Sequence, residues 1–116
     1  MSRRSIASDR TPKPAGPYSP GVAWDRLVFT AGQVGVDPAT GKPAEGGVRE
    51  QTRQVLKNVQ AVLEAAGTDL GHVLKTTCFL VDINDFAAFN EVYREFFPSA
   101  PPARSTIQAG LVSPWL

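Results

Sequence analysis

The segment LKTTCFLVD, residues 74–82, is the feature that most limits how this chain can fold. Its β-branched and aromatic residues predict a strand, in which successive side chains point to opposite faces. One face then carries Leu74, Cys78 and Leu80, and the other carries Phe79 and Val81. A sheet that is covered on one face only alternates apolar and polar residues. The segment therefore predicts a central strand that is buried on both faces.

Two segments have the apolar periodicity of an amphipathic helix. The first runs from Val48 to Ala66 and is followed by Gly67, a residue type that is common just after the last helical turn. The second is predicted to be capped by Asn84 or Asp85 and to end before Pro98. Its predicted inner face carries Phe86, Phe89, Tyr93, Phe96 and Phe97. Because both helices would cover the same face, the other face needs a partner, most simply a second copy of the chain.

The remaining segments predict turns and further strands. Residues 1–20 hold four prolines and predict an extended, turn-rich segment. Residues 22–31 predict a hairpin divided by Asp25 and Arg26, and residues 35–47 predict a loop. RSTIQAG, residues 104–110, predicts a last short strand. The order of elements predicts one α+β domain over residues 1–116, with both helices on one face of a sheet.

The composition excludes several classes of protein. A net charge of +1 with scattered basic residues is typical of neither nucleic-acid-binding nor membrane-surface proteins. With one cysteine and one histidine, a disulfide framework within the chain is excluded and a bound metal is not expected. We interpret Cys78 as a core thiol and His72 as a surface residue. The sequence has no apolar run long enough for a membrane span or a signal peptide, which predicts a cytoplasmic protein.

Arg104 is the first candidate functional residue. It follows Pro101 and Pro102, which stiffen the chain, and it precedes the hydroxyl residues Ser105 and Thr106. A guanidinium held by a rigid turn can bind a carboxylate through two parallel hydrogen bonds. The alternative is an arginine at a strand start that is exposed to solvent or paired with an acid.

Three further residues are candidate functional residues, and each of them also has a simple structural interpretation. Tyr18, in GPYSPG, places a hydroxyl among turn residues, but its ring can equally pack against the sheet. Gly32, in TAGQ, would let backbone approach a ligand closely, or it marks the exit from a strand. Asn90 is a polar residue on a strongly aromatic helix, or an ordinary solvated position.

Five segments together resemble one family. GPYSPG, FTAGQVGVDPATG, NVQAVLEAAG, VLKTTCFLVDINDFAAFNEVY and PPARSTIQ are similar, in this order, to the RidA (YjgF-type) reactive-intermediate deaminase family. The resemblance covers residues 6–108. It implies a chorismate-mutase-like α+β fold with a mixed sheet, two helices on one face, and the other face buried in a homotrimer. It also implies ligand sites in clefts between adjacent subunits.

The resemblance further implies hydrolysis of reactive 2-imino and enamine acids to 2-oxo acids and ammonia, without a cofactor or metal. The substrates would be 2-aminoacrylate, 2-iminopropanoate and 2-iminobutanoate. Arg104 matches the family's carboxylate-binding arginine, and Tyr18 matches a tyrosine that lines the cleft. Gly32 matches a glycine whose backbone faces the ligand, and Asn90 matches a helix asparagine near the site. Thr106 stands at a position that is often cysteine and keeps the backbone N–H that helps to hold the carboxylate.

Two departures from the family pattern leave alternatives open. Ala31 stands where some members carry serine, so one hydroxyl contact is lost. Family members continue with a strand whose glutamate positions or activates water, and this chain ends at Leu116 before that strand. One interpretation is a truncated chain. The other is a complete chain with an unpaired sheet edge and no such glutamate. This second interpretation favours a trimer that binds small 2-oxo carboxylates without turning them over. An RNA-directed or chaperone-like role is a third possibility, against which the balanced charge argues.

Overall fold

Two helices lie against one side of the strands, as the sequence predicts. The computed structural model describes residues 2–116. The helices are α1 (Val48–Ala65) and α2 (Phe86–Phe96), and short 3₁₀ turns cover Leu70–His72 and Ile83–Asp85. The strands in these residues are β1 (Arg4–Ile6), β2 (Gly21–Trp24), β3 (Leu27–Thr30), β4 (Val36–Asp37), β5 (Lys42–Pro43), β6 (Lys75–Leu80) and β7 (Ala103–Gln108).

The strands form three separate ladders. β1, β2 and β3 pair antiparallel in that order, β4 pairs antiparallel with β5, and β6 pairs parallel with β7. The predicted α+β class with mixed strand directions is therefore confirmed. The prediction that β6 is a central strand is wrong within residues 2–116, because β6 pairs there with β7 alone. β1 and the β4–β5 ladder are additions to segments predicted as extended chain and loop. They are only two or three residues long, too short to show a periodic pattern.

The helices and the inner faces of the strands enclose two apolar clusters. The larger cluster contains Leu56, Leu80, Phe89, Tyr93 and Phe97, and the smaller contains Ile6, Ala23 and Val62. Burying such side chains contributes about 1.5–3 kcal/mol each. These contacts fix both helices over the same face of the strands.

Ion pairs on the exposed side join the two helices. Arg49 of α1 donates to Glu91 of α2 at 3.0 Å, and Arg53 donates to Glu95 at 2.9 Å. In the sequence these two acids read as part of a solvated face of α2. In the structure they instead pair with α1, because the helices lie side by side.

The helix ends agree only partly with the sequence. Gly67 follows α1 at φ 88°, a left-handed conformation that glycine adopts readily, and this confirms its predicted role. Asp85 occupies the N-cap position of α2, as predicted, but its side chain makes no capping hydrogen bond. The Asp82 carboxylate instead accepts from the Asn84 N–H at 2.9 Å and caps the 3₁₀ turn that precedes α2.

The outer face of the strands, opposite the helices, is exposed in the single chain. The apolar residues there that are about half exposed or more are Trp24, Leu27, Phe29, Phe79, Val81 and Ile107. Leu74 was expected on a buried face, but it is 78% exposed, since it precedes β6 and joins neither core cluster. The prediction that both faces of the strands are buried is therefore not met within one chain. No helix in the part of the chain that the structure describes is long and apolar enough to cross a membrane.

Candidate functional site

A constrained turn delivers Arg104 to its position. After α2 ends, Ala100 has φ 46°, a left-handed conformation that is uncommon for alanine, and Pro101 and Pro102 follow it. β7 then begins, and Arg104 lies opposite Thr76 of β6 in the parallel ladder. Since ladder partners share a face, Arg104 points to the same side as Thr76, toward α2. The sequence signal of two prolines before an arginine therefore corresponds to a fixed position in the fold.

Three aromatic rings of α2 surround the Arg104 guanidinium. Its Cζ lies 4.7 Å from the ring centroid of Tyr93, 5.4 Å from that of Phe86 and 5.5 Å from that of Phe89. Such contacts attract a cation to the ring face. The side chain is partly buried, and no carboxylate within residues 2–116 forms an ion pair with it. The structure thus shows neither the freely exposed nor the acid-paired arginine that the sequence left open.

Arg104 borders two clefts. The first cleft has a volume of about 450 Å³ and is lined by Ile83, Phe86, Arg104 and Thr106. The second cleft has a volume of about 340 Å³ and is lined by Asn90, Tyr93, Arg94, Phe97, Pro101, Pro102 and Arg104. Arg104 is the residue that lines both clefts.

Each cleft is also lined by a residue that carries a buried side-chain oxygen. Thr106 lines the first cleft and Asn90 the second, and neither Thr106 Oγ1 nor Asn90 Oδ1 has a hydrogen-bond partner in the described chain. A buried polar atom without a partner costs about 1–3 kcal/mol. Because both oxygens are buried, a ligand would reach them only after the surrounding side chains move.

Tyr18 and Gly32 lie apart from Arg104. They line neither cleft, and both belong to the part of the chain around β2 and β3. Tyr18 is 51% exposed, and its hydroxyl accepts from the Ala15 N–H at 3.2 Å. A Cβ added to Gly32 would meet no atom within 4 Å, so its backbone is openly accessible. The single chain therefore brings together Arg104, Thr106 and Asn90, but not the other two predicted residues.

Two groups near Arg104 titrate above their ordinary values. Burial raises the pKa of the Tyr93 phenol, an effect that its 2.8 Å hydrogen bond with Thr76 partly offsets. Burial also raises the pKa of the Cys78 thiol. Both groups therefore stay neutral beside the guanidinium around neutral pH. Within residues 2–116, no group of three or more histidine, cysteine or acidic side chains is arranged to hold a metal ion.

Sequence reasoning missed the neighbours of Arg104. Phe86, Phe89 and Tyr93 were assigned to the core side of a helix, which hid their contact with the guanidinium. Ile83 was not singled out at all, although its N–H donates to Gln108 Oε1 of β7 at 2.8 Å and its side chain lines the first cleft. A possible signal is the spacing of the three aromatic residues, one and two turns apart on a helix that precedes the arginine strand.

The fold and the clefts define a small α+β protein with a guanidinium held among aromatic rings at the edge of a parallel strand pair. A family profile described as Endoribonuclease L-PSP matches residues 8–116. The human protein named 2-iminobutanoate/2-iminopropanoate deaminase is 46% identical over 108 residues, which are 93% of this chain and 79% of the human one. The chain belongs to the RidA (YjgF-type) family, which confirms the resemblance seen in its sequence.

Solved structures agree with this assignment. The crystal structure of RidA from an Antarctic Psychrobacter bacterium matches with a TM-score of 0.91 at 36% identity, over 97% of this chain and 90% of that chain. The structure of Escherichia coli TdcF with bound serine matches with a TM-score of 0.90 at 40% identity, over the same shares of the two chains. These matches confirm the predicted YjgF-type fold.

Proposed function

We propose that this protein hydrolyses reactive 2-imino and enamine acids, such as 2-aminoacrylate, 2-iminopropanoate and 2-iminobutanoate, to 2-oxo acids and ammonia. The observation that carries the proposal is the Arg104 guanidinium, which is partly buried, lacks an acidic partner in residues 2–116 and borders a cleft. Its in-plane N–H groups are available to a carboxylate. The name of the human relative supports the same activity.

The chemistry needs little from the protein beyond orientation. With the substrate carboxylate on Arg104, the imine carbon lies in the first cleft beside Thr106, whose hydroxyl has no partner in the described chain. An enamine such as 2-aminoacrylate first gains a proton at its β-carbon and loses one from nitrogen, which gives the imine. Water then adds to the electrophilic imine carbon, and loss of ammonia from the adduct leaves the 2-oxo acid. A substrate held in one orientation reacts faster because its rotational freedom is already lost. The apolar walls formed by Ile83 and Phe86 suit a short aliphatic side chain.

The site is proposed to be completed by a second copy of the chain. The outer face of the strands exposes a group of large apolar residues, which supports assembly as a homotrimer through that face. Tyr18 and Gly32 line neither cleft of their own chain, and they are proposed to reach the Arg104 cleft of a neighbouring subunit. We place this assembly in the cytoplasm.

A second candidate function is binding of small 2-oxo carboxylates without turnover. One observation favours it: no carboxylate and no imidazole lines either cleft in residues 2–116, so these clefts contain no evident general base. The bound serine of TdcF supports the view that this fold holds small carboxylates.

RNA is a weaker candidate ligand. The description of the family profile names an endoribonuclease. The net charge of +1 shows no excess of basic residues for phosphate contacts, however, and the basic residues of α1 that lie next to α2 are paired with acids. We therefore expect no RNA cleavage by the purified protein.

Turnover of freshly generated 2-aminoacrylate tests the main proposal. A pyridoxal-phosphate dehydratase acting on serine supplies the enamine, and pyruvate and ammonia release are followed with the wild type, with Arg104→Ala, and with Arg26→Ala as an arginine control away from both clefts. The wild type and Arg26→Ala should accelerate release, whereas Arg104→Ala should leave only the spontaneous rate. Binding of 2-oxobutanoate by calorimetry without any acceleration would select the non-catalytic function.

A further inference from the structure

Tyr93 joins the strand partner of Arg104 to the guanidinium. Its hydroxyl lies 2.8 Å from Thr76 Oγ1, and its ring centroid lies 4.7 Å from Arg104 Cζ, the shortest of the three aromatic contacts. Thr76 is also the residue opposite Arg104 in the β6–β7 ladder. The hydrogen bond between Tyr93 and Thr76 therefore connects the ring that contacts the guanidinium to the residue opposite Arg104 in the ladder.

The Arg104 side chain lies between two clefts, which differ in their lining. The first cleft contains Thr106 and apolar walls, and the second contains Asn90, Arg94 and two prolines. Tyr93 lines the second cleft together with Arg104, and its ring centroid lies 4.7 Å from Arg104 Cζ. A guanidinium that rests on a ring face keeps its in-plane N–H groups free for hydrogen bonds.

We propose that Tyr93, anchored by Thr76, is a positioning residue that orients the Arg104 fork toward the first cleft. The inference rests on the proposed function, in which Arg104 binds the substrate carboxylate. A bidentate pair requires the guanidinium plane to match the carboxylate plane, so a ring that fixes the plane increases affinity for the acid. The hydroxyl of Tyr93 matters because it fixes the ring itself.

The packing of Tyr93 alone does not account for its hydroxyl. The ring packs between Phe89 and Phe97, with centroid distances of 5.5 and 4.8 Å. A phenylalanine would make the same apolar contacts. The bond to Thr76 is thus the feature that a purely structural role would not require.

The first experiment follows the Arg104 side chain without any ligand. The ¹H–¹⁵N heteronuclear NOE of its Nε–H, assigned by its loss in Arg104→Lys, reports the order of the guanidinium. We expect a high value in the wild type and a clear decrease in Thr76→Val, Tyr93→Phe and Tyr93→Leu. Phe96→Leu is the matched control, because this ring of α2 packs against the core and does not contact Arg104. Unchanged values in all three test variants would overturn the proposal.

The second experiment separates binding from chemistry. We expect Thr76→Val and Tyr93→Phe each to raise KM for the imine, and Kd for 2-oxobutanoate, by about fivefold, the effect of one hydrogen bond. Tyr93→Leu should raise both by about tenfold or more, with kcat nearly unchanged throughout. Combining Tyr93→Phe with Thr76→Val should add no further loss, since both remove the same bond.

The outcomes distinguish this inference from the proposed function. If the wild type shows no turnover but the NOE and the 2-oxobutanoate Kd change as expected, the deaminase activity is wrong and the positioning role stands. If the wild type turns over imine but KM and the NOE are unchanged in Thr76→Val and Tyr93→Phe, the positioning role is wrong. If Tyr93→Leu does not fold, the two conservative variants decide the question by themselves. A wild type that binds no carboxylate would also overturn the inference.

Discussion

Phe79 lies opposite Ile107 in the parallel ladder of β6 and β7, and the two side chains are 51% and 47% exposed. Both point away from the helices, on the same outer face as the exposed residues of the β2–β3 hairpin. Large apolar residues exposed in this number indicate a contact surface when they occur on a folded protein. The first prediction concerns this pair.

We expect Phe79→Asp and Ile107→Asp each to convert the proposed homotrimer to a monomer, because an unpaired charge would be buried at the proposed interface. Size-exclusion chromatography with light scattering measures the mass. Lys57→Asp, an exposed change on α1, is the control and should keep the wild-type mass. A wild type that is monomeric at high concentration would show that the homotrimer proposal is wrong.

Replacing Arg104 with lysine should weaken binding even though the charge is kept. An ammonium cannot form the two parallel hydrogen bonds of a guanidinium. Loss of one charged hydrogen bond costs about 1.5–3 kcal/mol, which raises the Kd for 2-oxobutanoate by about 10- to 150-fold. Calorimetry measures the Kd, with Arg26→Lys as the control. Equal affinity of wild type and Arg104→Lys would mean that the guanidinium does not hold the carboxylate.

Asn58 should be essential for stability, because it is 1% exposed and bonds to the chain that follows β3. Its Nδ2 donates to the carbonyl of Val34 at 3.1 Å and to that of Val36 at 2.8 Å. Asn58→Leu leaves both carbonyls without this donor, so we expect a loss of about 2–4 kcal/mol in the free energy of unfolding. Urea denaturation measures it, and Gln60→Leu is the control. Similar values for the two variants would contradict the prediction.

The raised pKa of the Cys78 thiol predicts that the free energy of unfolding depends on pH. Burial, the largest effect, raises the pKa of its thiol above the ordinary value of 9.0. The unfolded chain therefore ionises first, and the stability that the neutral thiol contributes is present below pH 9.0 and is lost as the pH rises through the folded-state pKa. Between pH 8 and pH 11, the wild type should lose more unfolding free energy than Cys78→Ala. Parallel curves for the two proteins would rule the effect out.

Local patterns predicted the helices well. The apolar stripe of α1 and its terminal Gly67 define the helix to within one residue of its observed end at Ala65. The β2–β3 hairpin was predicted equally well, because Asp25 and Arg26 interrupt a β-favouring run. In the structure Asp25 has the positive φ, 54°, that hairpin turns use. These features depend only on residues close together in the chain.

The surroundings of Arg104 could not be predicted in the same way. The prolines before it and the hydroxyls after it mark the residue, but its contact with Tyr93 depends on the register of β6 against β7. That register pairs residues far apart in sequence, and a single-residue shift would turn Arg104 to the opposite face. Aromatic residues on one face of a helix are already explained by packing in the core. The sequence therefore gives no additional sign that these rings also contact the guanidinium.

The parallel pairing of β6 with β7 places α2 as the connection between them. The guanidinium, its strand partner and all three of its rings consequently come from the single stretch between Lys75 and Gln108. Every described residue that contacts the guanidinium therefore belongs to one continuous strand–helix–strand segment of the chain. An insertion in the turn between β4 and β5, which lies outside this segment, should therefore leave the environment of Arg104 unchanged.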